Sequence, residues 1–186
     1  GLSGQQGVSG DWDGDGVDTI GSFANGTWKV RNSNFPINSF FAPISTFSFG
    51  LAADLPVVGD WDGDGIDTAG TFRPSTGQFF LTNTANAAAV NVTISFGVAG
   101  DLPIAGDFDG DGLDTVGVFR PSLGQWFLTN DTTVASPPID IVAFIGVNGD
   151  LPFAGDFNGN GVDTIGVWRP NTTEFFLTDD NVNIRT

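Results

Sequence analysis

The sequence has no cysteine, histidine, methionine or tyrosine, a single lysine (Lys29) and a single glutamate (Glu174). Without cysteine there is no disulfide and no thiol nucleophile, and without histidine there is no imidazole base, no Ser-His-Asp triad and no zinc site of the usual kind. Six basic residues scattered singly cannot neutralise a phosphate backbone, so nucleic acid is not an expected partner. Long apolar runs are missing too. No stretch approaches the roughly 18 residues of a membrane span, and Gly1-Leu2-Ser3-Gly4 carries neither the basic nor the apolar region of a signal peptide, which reads as a mature chain or a fragment with no membrane insertion. The absence of tyrosine, a residue favoured at recognition surfaces, points towards structure rather than recognition.

What the chain does have is aspartate, glycine and phenylalanine. The formal net charge is -16, and fourteen of the 22 acidic residues fall in four short loops. Acid concentrated in this way calls for a cation instead of a diffuse basic partner. No composition shift or linker divides the 186 residues, so residues 1–186 are expected to form a single β-repeat domain.

Internal repetition decides the architecture. The run from Gly10 to Gly21, Gly-Asp-Trp-Asp-Gly-Asp-Gly-Val-Asp-Thr-Ile-Gly, returns from Gly59 to Gly70 and from Gly106 to Gly117 with conservative changes. A fourth copy, Gly155 to Gly166, places Asn158 and Asn160 where the others have aspartate. Phe72-Arg73-Pro74 recurs as Phe119-Arg120-Pro121 and Trp168-Arg169-Pro170, whereas the first copy has the short hairpin turn Asn25-Gly26. The repeats run approximately over 1–49, 50–96, 97–145 and 146–186.

Each unit holds four short runs rich in β-branched and aromatic residues, in the second copy Pro56–Trp61, Asp67–Arg73, Gln78–Asn83 and Val90–Phe96. No helical periodicity competes with them. The expected fold is therefore all-β, with four four-stranded antiparallel blades in a β-propeller-like arrangement, or alternatively an open superhelical stack of the same blades. The last repeat stops early at 182–186. Its incomplete fourth strand would leave an edge open to strand addition, giving a homo-oligomer or filament.

The loop chemistry points to Ca²⁺, about one ion per repeat and up to four in all. Asp11, Asp13 and Asp15 alternate, so their carboxylates can converge, and the glycines between them allow the positive φ of a tight turn. Asp18 closes the set, and the carbonyl of Val17 is a further expected ligand. The equivalent sets are Asp60, Asp62, Asp64, Ile66 and Asp67; Asp107, Asp109, Asp111, Leu113 and Asp114; and Asp156, Asn158, Asn160, Val162 and Asp163. An all-oxygen set of this size suits Ca²⁺ better than a softer transition metal or the stricter Mg²⁺. Without an ion, carboxylates about 4 Å apart repel by about 4 kcal/mol per pair at an effective dielectric of about 20, so the metal should belong to the fold. An EF-hand is excluded, since its twelfth position is Ser22, Thr71, Val118 or Val167 instead of glutamate.

With these loops, and with Phe49-Gly50 and Phe96-Gly97 at the repeat boundaries, the units resemble FG-GAP or VCBS-type repeats, the calcium-loop blades of integrin α-propellers and many secreted bacterial proteins. The resemblance implies a non-catalytic scaffold for adhesion or ligand binding, in which calcium is structural. One residue, instead of the family's two, separates Gly16 from Asp18, so the closing aspartate arrives one position early.

Three further features complete the reading. Arg73, Arg120 and Arg169 are expected to pair with Asp54, Asp101 and Asp150, between or within blades, in charge-assisted bonds. Asn25, Asn91, Asn130 and Asn171 begin Asn-x-Ser/Thr sequons, which suit glycans on a secreted or cell-surface protein. The aromatic residues repeat in register, as packing between blades requires, and a carbohydrate-binding, lectin-like propeller with a glycan or surface-protein partner is the alternative function. No enzyme is expected, because the clustered carboxylates are committed to a cation and no other acidic pair recurs in a shared groove.

Overall fold

A computed structural model describes residues 4–32, 44–84 and 89–181. Its secondary structure is all-β, in four blades that follow the repeat. The first contains β1 (Gln6–Gly10), β2 (Thr19–Ala24), β3 (Thr27–Arg31) and β4 (Ile44–Ser48), paired antiparallel in chain order. The second orders β5 (Leu55–Gly59), β6 (Thr68–Arg73), β7 (Gln78–Leu81) and β8 (Val92–Ser95) in the same succession. The third repeats it with β9 (Leu102–Gly106), β10 (Thr115–Arg120), β11 (Gln125–Leu128) and β12 (Ile141–Phe144). In the fourth, β13 (Leu151–Gly155), β14 (Thr164–Arg169) and β15 (Glu174–Leu177) make three strands among the described residues. The incomplete last strand expected at 182–186 lies outside those residues.

The meander follows from local turn chemistry. Asn25 and Gly26 take φ of 51° and 76°, the left-handed pair that a two-residue hairpin needs. In the third blade the longer β10–β11 turn ends at Gly124, with φ of 62°, and a Cβ there would stand 2.4 Å from the carbonyl oxygen of Gly146. Both the conformation and the space demand glycine.

Backbone contacts group the chain into two compact units, Gly1–Arg73 with Phe79–Thr93, and Pro74–Gln78 with Ile94–Thr186. Within each, alternation along the strands sends side chains to two faces, and one blade packs on the next. In the first unit Trp12, Phe23, Trp28 and Val30 of the first blade pack against Ala69 of the second, flanked by Val58 and Phe80. In the second unit Phe108, Phe119, Trp126 and Leu128 of the third blade meet Ile165 and Val167 of the fourth. Each phenylalanine or leucine so buried contributes about 1.5–3 kcal/mol. Two of the buried indoles also donate their N–H, Trp28 to the Phe49 carbonyl at 3.1 Å and Trp126 to that of Ile145 at 2.7 Å, whereas the buried Trp61 Nε1 has no partner.

Candidate metal centre

The Asp-rich loops join the first two strands of each blade. One carboxylate oxygen from each of Asp11, Asp13 and Asp15 lies within 4.8 Å of the others, and the same holds for Asp60, Asp62 and Asp64 and for Asp107, Asp109 and Asp111. Gly14 and Gly16, with φ of 74° and 81°, make the expected turn.

The three positions of a triplet have different tasks. The first aspartate organises the loop. Asp11 Oδ1 accepts the amides of Gly14 at 2.8 Å and Asp15 at 3.1 Å, and Oδ2 accepts that of Gly16 at 2.7 Å. Burial works against the Asp11 carboxylate, but the amides of Gly16, Gly14, Asp15 and Asp13 outweigh it and hold Asp11 below the usual range. Asp156 is held low in the same way, chiefly by the Gly161 amide.

The third position closes a smaller turn. The amides of Val17, Ile66 and Leu113 donate to Asp15, Asp64 and Asp111 at 2.9–3.0 Å. In the fourth loop Val162 donates to Asn160 at 2.9 Å, and Asp156 accepts Gly159, Asn160 and Gly161 as its counterparts do. The loop therefore keeps its shape when the second and third carboxylates become amides.

The middle aspartate is the informative one. Among the described residues the Asp13 and Asp62 carboxylates have no hydrogen-bond donor, and that of Asp109 accepts one long contact, from the Asp111 amide at 3.3 Å. Burial first, and then the charge of Asp111, raise the pKa of Asp109. Turn geometry does not require a carboxylate at this position, as Asn158 shows, whereas three hard oxygen donors around one point suit a divalent cation. Val17, Ile66, Leu113 and Val162, whose carbonyls are the expected further donors, are fixed at each site through their amides.

The closing aspartates stand apart from the triplets. None of Asp18, Asp67, Asp114 and Asp163 joins a triplet among the described residues. Asp67 and Asp163 instead reach back to the loop of the preceding blade. Asp67 Oδ2 accepts the Asp11 amide at 2.8 Å while its own amide donates to the Asp11 carbonyl at 2.8 Å. Asp163 makes the same pair of bonds with Asp107, at 3.1 and 2.7 Å. Glycine before the loop makes room for this clamp, since a Cβ on Gly106 would lie 2.5 Å from Asp163 Oδ2.

Burial pushes the Asp67 pKa up to about 6, and the Asp18, Asp60 and Asp11 charges add to it against the opposing Asp11 amide. Its folded pKa thus lies above the unfolded value of 3.8, so the folded state binds the extra proton between the two. In chelator, stability should fall as pH rises from about 4 to about 6 and then level off, and Asp67→Asn should flatten that slope. Chemical unfolding at a series of pH values tests both.

The arginines pair as expected. Arg73, Arg120 and Arg169 each give Nε and Nη2 to the two oxygens of Asp54, Asp101 and Asp150 at 2.8–3.0 Å. Each guanidinium also lies 4.2–4.6 Å from the ring of Phe80, Phe127 or Phe176. The bond from Arg169 lowers the Asp150 pKa despite burial. The first blade has Gln5 and Ala24 at the corresponding positions and lacks the pair.

Sequence reasoning missed the recurring threonines. Thr19, Thr68 and Thr164 donate through Oγ1 to the carbonyls of Arg31, Thr82 and Thr178, tying the loop's exit strand to the end of the third strand. Their signal was the repeated Asp-Thr. Of the sequon residues, Asn25 and Asn171 lie exposed in turns, Asn91 is exposed but accepts the Asn83 amide at 2.9 Å, and Asn130 is half-buried.

No family model, curated protein or solved structure matches this chain.

Proposed function

We propose that the chain is a non-catalytic, calcium-stabilised structural or adhesion module that works outside the cell. The observation that carries this reading is the middle aspartate. Asp13, Asp62 and Asp109 hold charge where the loop's own hydrogen bonding does not need it, each within 4.8 Å of two more carboxylates. Like charges kept this close destabilise a turn unless a cation binds among them. Oxygen-only donors favour Ca²⁺, and exposed loops of this kind suit the high calcium of an exterior compartment. The ions then brace the blade entrances, and the blades carry whatever surface the protein presents.

Calorimetric titration of the EDTA-stripped protein with CaCl₂ tests the reading. Three sites of similar affinity are expected, with the Asn-containing fourth loop weaker by at least tenfold, and MgCl₂ should bind more weakly throughout. Absence of calcium binding in the millimolar range would sink it.

A further inference from the structure

Equivalent residues of the four blades are not equally covered. Trp28, Phe79 and Trp126 are fully buried, as are Leu81 and Leu128, yet their counterparts in the last blade, Phe175 and Leu177, are 66% and 49% exposed. Phe157, which corresponds to the buried Trp12, Trp61 and Phe108, is 40% exposed. These side chains form one patch: Phe153 meets both Phe157 and Phe175 edge-on, and Trp168 stacks on Phe175. A continuous aromatic face of this kind marks an interface, unlike single exposed apolar residues.

The repeat itself says what covers such a face. Within each unit the Trp/Phe and Leu face of one blade packs on the opposite face of the next: Val58, Ala69 and Phe80 in the first unit, Ala154, Ile165, Val167 and Phe176 in the second. On the first blade that opposite face is open. Ser9, Ile20, Ser22 and Lys29 take the equivalent positions, and Ile20 is 65% exposed. Lys29 replaces the phenylalanine of the other blades, and clefts open beside it, one walled by Ile20, Ser22 and Arg31 and another by Gln5, Ser22 and Asn25.

Charge matches as well. Lys29 and Arg31 are the described cations outside the Asp–Arg pairs, and they sit on the open face of the first blade. Asp179, two residues beyond Leu177 on the last blade, lies next to the loop that has lost two carboxylates to Asn158 and Asn160, its carbonyl accepting Asn158 Nδ2 at 3.3 Å. The lysine stem can lie along an aromatic surface while its ammonium reaches a carboxylate.

We propose that the aromatic face of the last blade docks on the open face of the first blade of a second copy of this chain. Phe175 and Leu177 enter the clefts around Lys29, and Lys29 and Arg31 approach Asp179. The contact continues the blade-on-blade packing seen inside each unit. Because it joins two different faces, it is head-to-tail and propagates into a linear assembly unless the rotation closes a ring. The serines and lysine of the receiving face keep it soluble when unpaired, so growth is concentration-dependent.

Sedimentation velocity of the full chain in calcium buffer, from micromolar to millimolar, tests this. The parent should grow with concentration. Phe175→Asp removes one face and Lys29→Glu the other, so each variant alone should stay monomeric, while an equimolar mixture should stop at dimers of twice the monomer mass. Both substituted side chains are exposed, and matching circular-dichroism melts confirm the fold; Leu177→Ser serves in place of Phe175→Asp if the latter does not fold. A parent that stays monomeric at the highest concentration overturns the proposal. So does growth of Lys29→Glu when Phe175→Asp is monomeric, which would mean two aromatic faces pairing with each other, and so does a mixture that forms no dimer.

Discussion

Stripping divalent cations with EDTA should lower the midpoint of thermal unfolding by about 15–30 °C. A site filled at a hundred times its dissociation constant stabilises the folded state by about 2.7 kcal/mol, and three such loops together approach the whole stability of a typical domain. For a chain of this length each kcal/mol shifts the midpoint by about 2–4 °C. The effect should reverse sign at the middle position. Asp109→Asn should melt below the parent in calcium, having lost a ligand, and at or above it in EDTA, having lost a like charge beside Asp107 and Asp111. Asn158 already shows that the loop accepts an amide there without losing the bonds that the Gly159 and Gly161 amides donate to Asp156. Superimposable melts with and without EDTA would refute the assignment of these loops to a cation.

Much of this structure was legible because four copies of one unit average out local ambiguity. The strands appear where turn glycines bound β-branched and aromatic runs, and recurring opposite charges announced the Asp–Arg pairs, which the structure places within each blade, 19 residues apart. Two things were not legible. The spacing after Gly65 and Gly161 brings Asp67 and Asp163 in one residue early, but does not say that they clamp the loop of the preceding blade, since that depends on a neighbour 56 residues away. Likewise, the sequence gives Phe175 and Leu177 the same place in the repeat as Trp126 and Leu128. Burial of a blade face is decided by the blade opposite, and no local pattern encodes it.

Arg120→Ala should cost about 3 kcal/mol, the largest loss expected from a single side chain outside the hydrophobic core. Asp101 is 1% exposed, and its two oxygens accept both nitrogens of Arg120 at 2.8 Å, with Oδ2 also taking the Val98 amide at 2.9 Å. Removing the guanidinium leaves a buried carboxylate with one amide for company, a far worse state than having neither charge. The guanidinium also lies 4.6 Å from the Phe127 ring, a contact worth about 0.5–1 kcal/mol. Because Arg120 keeps some contact with water, the loss belongs at the lower end of the range for buried pairs. Arg120→Lys should recover less than half, since a single ammonium cannot serve both oxygens at once. The double variant Asp101→Asn with Arg120→Met should be more stable than Arg120→Ala, because it removes the stranded charge and keeps an apolar chain over Phe127. Urea unfolding of the four proteins separates these terms, and if the double variant were the least stable, the pair would owe its place to net attraction more than to the cost of leaving Asp101 alone.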